Sequence, residues 1–312
     1  MAGIASSQIR SAYVAEVTPG TTPATPGFKT LHRPARMQAA AMPEFGRSLI
    51  SKGARFGHGI NGIDVTGTLD GPLIYGVYDD LLATLFQSAW ATNALKDGKA
   101  LSSATIENTL PAGVGGTNTM LRYRGVEALS GTLSLQARSA VTLNLALGGM
   151  GSDAGATTAI SGATYTDPTE ADPLASGGDV GTITMAGYTL DCMERAEISF
   201  AFEGRDPQPK IGSNDLCGFT RGDFLPVITA RFLIEPNFLA IYNASRGRHS
   251  AFAVTFPLGS ISGEKYTLLF PACYFGPAEI DQSGAIAMQS VQIMPTYSTA
   301  EACVAKLTRA VA

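Results

Sequence analysis

Apolar and polar residues alternate with period two over much of the chain. Between Thr132 and Leu147, the residues Leu133, Leu135, Val141, Leu143, Leu145 and Leu147 take one parity, while Thr132, Ser134, Gln136, Arg138, Thr142 and Asn144 take the other. That spacing predicts a long strand, or a hairpin bent near Ser139, with one face buried and one in water. Ile63, Val65 and Leu69 alternate in the same way with Asp64, Thr66, Thr68 and Asp70, and Ala196, Ile198, Phe200 and Phe202 with Arg195, Glu197, Ser199 and Glu203. Ile228–Ile234 and Phe252–Leu258 repeat the pattern, which together reads as a mainly antiparallel β protein. Helical spacing is rare. The best stripe runs from Tyr78 to Ala89 through Leu81, Leu82, Leu85 and Phe86, with Asp79 and Asp80 in a first turn where the helix dipole favours them. A second helix is expected from Pro236, carrying Phe238, Leu239 and Tyr242, and a third over Ala300–Ala310.

Thirty-five glycines and seventeen prolines cut the chain into short segments. From Gly148 to Gly181 the composition turns to Gly, Ala, Ser, Thr, Asp and Pro, so residues 151–181 read as a connector, with a small hairpin at its middle, between a domain at 1–150 and another at 182–312. The two halves look related. In the first, Val65-Thr66-Gly67-Thr68-Leu69 leads to Asp80–Leu85; in the second, Ile228-Thr229-Ala230-Arg231-Phe232 leads to Asn237–Tyr242. Each then continues through a short strand (Ala104–Glu107; Ala253–Phe256), a Gly-rich turn, a longer strand (Met120–Val126; Tyr266–Tyr274) and a last strand region. Strand, helix, strands, given twice, predicts a duplication.

Composition adds a constraint. Hydrophobic residues make up 45% of the chain and charged residues only 15%, against roughly 25% charged in soluble domains, so much of the surface is expected to be covered by other protein. A net charge of −4 argues against tight nucleic-acid binding, which needs clustered cations. No apolar run is long enough for a membrane span, and Met1–Arg10 lacks the features of a signal peptide, so synthesis in a cytoplasm is expected. Cys192, Cys217, Cys273 and Cys303 read as free thiols. Gly57-His58-Gly59-Ile60-Asn61-Gly62 fits a dinucleotide fingerprint only on paper, because it precedes a strand where that fold needs it to follow one; it reads as a flexible loop. His32, His58 and His249 have no partners at catalytic or metal-binding spacing. No catalytic, cofactor-binding or metal-binding residue is therefore assigned. What remains is a basic loop with Arg47, Lys52 and Arg55, suited to carboxylates across a protein interface, and the outward positions Asp64, Thr66, Asp70, Glu197 and Glu203. On a channel wall those acids would keep a polyanion from sticking.

The order of these features resembles one family, the major tail tube proteins of long, flexible-tailed (siphovirus-type) bacteriophages. Ala15-Glu16-Val17-Thr18-Pro19-Gly20-Thr21-Thr22-Pro23 is similar to the family's opening, a strand carrying Glu that runs into Gly-Thr-Thr-Pro. Gly62–Gly71 followed by Tyr75–Trp90 resembles its strand-then-helix unit, Ser102–Glu107 its Ser-x-Thr-x-Glu strand, and Leu121–Gly151 its long alternating strand and Met-Gly ending. The match is good over residues 12–151 and looser over 182–300.

The resemblance implies a β-sandwich or open barrel with one packed helix, duplicated here, whose copies join sheet to sheet in rings that stack around a bore. It implies a structural virion protein of the tail, assembled in the bacterial host cytoplasm, with no reaction catalysed and no cofactor. Its partners would be itself, in hexameric or trimeric pseudo-hexameric rings, the tape-measure, tail terminator and distal tail proteins, and viral DNA passing through without specific binding. On this reading Asp64, Thr66, Asp70, Glu197 and Glu203 face the lumen, and Arg47, Lys52 and Arg55 lie in a loop between rings, disordered until stacking. The alternative is a β-sandwich capsid decoration or receptor-binding protein.

Overall fold

The computed structural model describes residues 5–47, 50, 54–112, 116–185, 188–189, 192–234, 238–282 and 286–310. After a short 3-10 turn come β1 (Arg10–Ala15) and β2 (Gly27–Thr30), then a long hairpin of β3 (Arg36–Arg47) and β4 (Arg55–Pro72), and helix α1 (Asp79–Leu85). β5 (Ala94–Lys96), β6 (Ala104–Leu110), β7 (Thr119–Gln136) and β8 (Thr142–Gly149) follow. Four short strands cross the middle of the chain: β9 (Gly151–Ser152), β10 (Thr164–Thr166), β11 (Thr184–Met185) and β12 (Tyr188–Thr189). Then comes β13 (Met193–Phe200), a bent hairpin made of β14 (Phe202–Glu203), β15 (Pro207–Pro209), β16 (Leu216–Phe219) and β17 (Asp223–Phe224), and β18 (Val227–Leu233). The chain ends with α2 (Phe238–Arg246), β19 (Phe252–Leu258), β20 (Lys265–Asp281), β21 (Met288–Pro295) and β22 (Lys306–Ala310).

The fold is mainly β, as the alternation predicts. Among the described residues, eighteen strands join in one large sheet that does not close into a barrel, and it is mixed because β10 adds parallel to β2. The connector thus contributes a strand to the first half where a separate hairpin was expected. Thr132–Leu147 is the hairpin alternative: β7 and β8 are joined by a turn in which Arg138 has a φ of 60°. Leu133, Leu135, Leu143, Leu145 and Leu147 point into a core that runs through both halves.

A strand order is repeated within the sheet. Successive antiparallel ladders link β3 to β4, β4 to β8 and β8 to β7 in the first half, and β13 to β18, β18 to β21 and β21 to β20 in the second. α1 packs on β7, and α2 on β20. Between these two sets, β7 pairs with β13, from Gly131 opposite Phe200 to Gln136 opposite Arg195. The eight strands therefore run without a break in the order β3, β4, β8, β7, β13, β18, β21, β20.

Three expectations need correction. The first helix is shorter than Tyr78–Ala89, because Gln87 turns left-handed at φ 50° and the amides of Gly98 and Ala100 take the carbonyls of Phe86 and Gln87. Within Ala300–Ala310, Lys306–Ala310 is a strand, since β20 and β5 offer it ladder partners on both sides. Residues 57–62 belong to strand β4, because β3 pairs with them from Gly59 to Ile63. Pro236, the expected start of the second helix, lies outside the described residues.

The hairpin β14–β17 folds back from the second half onto the first. Arg205 donates to Glu127 Oε2 (2.8 Å), to the Ala128 carbonyl (2.7 Å) and to the Thr84 carbonyl (3.3 Å); Arg221 holds the other Glu127 oxygen at 2.9 Å. Glu127 and Arg205 are both almost wholly buried, and Phe86 packs against Phe200 and Phe224 beside them. A buried charge left without its partner is expensive. Arg205→Ala is therefore expected to lower unfolding free energy by about 3–5 kcal/mol, read by urea denaturation of unassembled protein; a loss below about 1 kcal/mol would mean the pair behaves as a surface contact.

Candidate functional site

The chemistry of this chain is spread over a sheet face and two sheet edges. Registers define the face. Asp70 stands opposite Asn144, Asn144 opposite Thr132, Thr132 opposite Ser199 and Ser199 opposite Val227. One row along, Thr142, Ser134, Glu197, Thr229 and Gln292 follow one another, and beyond them Gln136, Arg195, Arg231, Ser290 and Glu279. Because side chains alternate in a strand, all of these share one side of the eight-stranded sheet, opposite the core.

Asp64, Thr66, Asp70 and Glu197 all lie on that face. Glu203 does not join it by register: it pairs with Asp223 in a separate two-stranded ladder. The face also carries cations: Arg195 shares the parity of Glu197, and Arg36 and Arg231 join it on neighbouring strands. Arg36 lies 3.9 Å from Asp70, Arg195 pairs with Glu197, and Arg231 holds Asp281 at 2.8 Å and Glu194 at 3.2 Å. Their signal was the same parity that picked out the acids. Each arginine is thus matched to a carboxylate, and Asp64, Glu279 and the many Thr, Ser, Asn and Gln positions leave the face hydroxyl- and amide-rich with a slight acidic excess.

The edges are the outer side of β3 and the outer side of β20 beyond Phe275. Among the described residues β3 pairs only with β4, and the Phe275–Asp281 part of β20 only with β21. The β3–β4 hairpin also projects as an arm about 26 Å beyond the Ala39–Val65 pair, taking roughly 3.3 Å per residue. Ala39–Gly46 and Gly57–Asn61 are exposed on both faces of this arm, including Met42, Phe45 and Ile60. Arg47 and Arg55 stand opposite each other at its far end, where the Arg55 guanidinium lies over the Phe45 ring at 5.4 Å. The expected inter-ring loop is therefore a strand ladder up to these residues, and Lys52 lies outside the described residues.

The residues that carried the resemblance hold the first half together. Glu16 accepts from Ser103 Oγ (2.6 Å), Thr105 Oγ1 (2.6 Å), Gly20 N (2.7 Å) and Gly125 N (2.9 Å). Gly125 sits at φ 62° with Met150 packed where a Cβ would stand, so glycine is required there. Glu107 accepts from Arg122 (2.7 Å) and Tyr165 (2.7 Å). The histidines stand apart: His32 contacts the Thr169 carbonyl, His58 the Phe45 ring, and His249 the amide of Phe275.

The profile of the phage tail tube protein family matches residues 6–295, nearly the whole chain. The chain belongs to the phage tail tube protein family. No curated protein gives a significant match. As a tail tube protein it is a structural component of the virion tail, and a tube is built by self-assembly of many copies, so long open strand edges are what its surface has to offer. Capsid decoration and receptor binding find no support. Among the described residues no helix is long and apolar enough to cross a membrane.

A buried polar seam ties the two halves of the tail tube subunit. Asp79 of α1 accepts from the Tyr266 hydroxyl of β20 and from Arg309 of β22, and Tyr266 in turn accepts from Gly76 N at 2.8 Å. Burial, and then the Asp79 charge, push the Tyr266 hydroxyl well above the usual phenol range. A raised folded value means the contribution is complete below the unfolded value of about 10 and is lost as pH climbs past it. Tyr266→Phe is expected to flatten the loss of stability above about pH 10 in denaturation series; an unchanged alkaline slope would show that this hydroxyl is not a sensitive proton.

Proposed function

We propose that this subunit forms rings of three, each subunit supplying two tube repeats, and that the rings stack into the conduit through which viral DNA leaves the head. The carrying observation is the repeated strand order. The last strand of the first set, β7, pairs with the first strand of the second, β13; the corresponding open edges are β20, last of the second set, and β3, first of the next subunit. Head-to-tail pairing of β20 with a neighbour's β3 copies a ladder the chain already makes, and a head-to-tail interface closes into a ring when the rotation allows. On this reading residues 1–150 and 182–312 are duplicated tube domains joined by the 151–181 connector. Carrying over the registers places Ala40 opposite the neighbour's Asp281, and Ala41 opposite its Ile280.

Strand number supports three copies. Two copies give sixteen strands, the size of a porin with its narrow aqueous channel. Three give twenty-four strands at about 4.8 Å spacing, a circumference of at least roughly 115 Å before tilt widens it, which leaves room for a DNA duplex. Asp64, Thr66, Asp70 and Glu197 then line the lumen, where paired arginines and surplus carboxylates let phosphates slide past. The arm tip with Arg47, Lys52 and Arg55 reaches toward the next ring. Assembly in the host cytoplasm on a tape-measure protein, capped by tail terminator and distal tail proteins in a siphovirus-type tail, completes the reading; no reaction is catalysed.

Ring closure is read by hydrogen exchange. Within Ala39–Ala41 and Glu279–Asp281, the amides that point away from β4 and β21 are expected to exchange quickly in unassembled subunits and at least about tenfold more slowly in tubes, whereas equal rates for them in both states would exclude edge pairing. The lumen is read by ejection: virions carrying Asp64→Lys with Asp70→Lys are expected to keep normal tail length but release DNA more slowly, most clearly at low salt. Unchanged ejection kinetics would place these residues elsewhere.

A further inference from the structure

The two ends of the subunit carry opposite charge. At one end is the β3–β4 arm, where residues 45–58 hold Arg47, Lys52 and Arg55 and no carboxylate. Arg55 is exposed and, among the described residues, meets the Phe45 ring and no acid. At the other end is the connector, which lies within a stretch, residues 139–194, that has no Lys or Arg. Asp167, Glu170 and Asp172 are exposed in it, and none of the three has a hydrogen-bond or ion-pair partner among the described residues. By contrast Asp70 meets Arg36, Asp223 meets Lys99 and Glu197 meets Arg195. β4 fixes the separation: it runs from Arg55 to Pro72, on the order of 50 Å away, where Pro72 stands opposite Thr142 beside the β7–β8 turn. There the Leu174 amide donates to the Leu73 carbonyl and the Leu174 carbonyl accepts from Val141 N, which sets Asp172 at that end. Arg33 and Arg138 lie at this end too, without pairing with the three acids. The connector then continues through Ser176 and Val180, which with Leu135, Ile183 and Met193 line a largely apolar groove of about 260 Å³.

Resting on the stacked-ring reading above, we propose that this end of the subunit, the connector carboxylates together with the groove beside them, is the docking surface for the arm of a second copy of this chain in the adjacent ring. The arm is too far from its own connector to pair with it, so the charges are matched only between copies placed head to tail. A head-to-tail contact of that kind repeats along an axis and gives a tube its polarity. Arg55 and its neighbours meet Asp167, Glu170 and Asp172, while the exposed Met42 and Phe45 lie against the groove at Val180 and Met193. Opposed charge steers the approach and penalises stacking of like ends. A single exposed ion pair contributes little, but three arms engage together each time a ring of three adds, so small contributions multiply.

The test is charge reversal in the full-length protein. Arg47→Glu with Arg55→Glu, and separately Glu170→Lys with Asp172→Lys, are each expected to raise the critical concentration for tube growth at least about tenfold, with thermal unfolding of the unassembled subunit unchanged. All four substitutions in one chain restore the match in the reversed sense and are expected to return the critical concentration to within about threefold of wild type. A fourfold variant no better than the worse pair overturns the proposal, as do pairs that leave tube growth unchanged at low salt. Cross-linking supplies a second reading. With the exposed Cys192 and Cys217 changed to Ser, Arg55→Cys with Asp172→Cys and a short bismaleimide are expected to give, in tubes, covalent chains that run past the ring size. Products that stop at the ring size would mean that the arm meets a neighbour in its own ring, and unlinked subunits that it does not meet the connector; either overturns the proposal. The ring reading stands or falls separately, because β3 and β20 edges left unprotected in tubes would sink it whatever the charge reversal shows.

Discussion

A strand at a sheet edge presents a row of unpaired N–H and C=O groups, and such a row will be met by something. In this chain one of these meetings is internal. β13 seats along β7 from Gly131 to Gln136, and that ladder turns two sheets into one. The polar face gains continuity through it, because Thr132 and Ser134 meet Ser199 and Glu197 across the junction with no change of parity. A slip of one residue would turn every leucine of β7 relative to the isoleucine of β13 and break both the core and the polar face. The core specifies this register: Leu133 and Ile198 are buried opposite each other, as are Leu135 and Ala196.

From this ladder the low charge content acquires a location. The charges that the subunit keeps are used in specific pairs: Arg122 with Glu107, Arg205 and Arg221 with Glu127, Arg309 with Asp79, and the paired arginines of the sheet face. Exposed apolar residues lie on the arm, on α2 and along the outer edge of β20: Met42, Phe45, Ile60, Leu239 and Ile280. Exposed apolar residues on a lone domain are an aggregation hazard. On the proposed ring reading, the edge residues among them lie where copies meet.

The alternation of β7, β8, β13, β18 and β19 was legible because each strand has one dry and one wet face, and the period of two survives in the sequence. Asp64, Thr66, Asp70 and Glu197 could be placed on a common face for the same reason. The arm was not legible as strand: residues 57–62 are rich in glycine, and with both faces exposed nothing imposes an apolar parity. The C-terminal strand was missed because Lys306–Ala310 is held by its ladders to β20 and β5, a tertiary effect that local spacing does not encode. Glu203 followed the parity of Glu197 in the sequence, but Ala201 lies outside the strands and the chain leaves the sheet there. Arg195 shares a strand and a parity with its partner Glu197, but the pairs of Arg36 with Asp70 and Arg231 with Asp281 join different strands, which spacing within one strand does not encode.

On the proposed reading, joining two repeats in one chain changes what must be recognised between chains. With separate repeats every junction is the same, and one set of side chains must serve all of them. In a joined chain one junction is covalently assured and can carry a demanding device such as the Glu127–Arg205 pair, whose buried charges are costly unless both partners arrive together. The junction between chains forms from free subunits, where a buried carboxylate exposed to a mismatched partner would be a standing penalty.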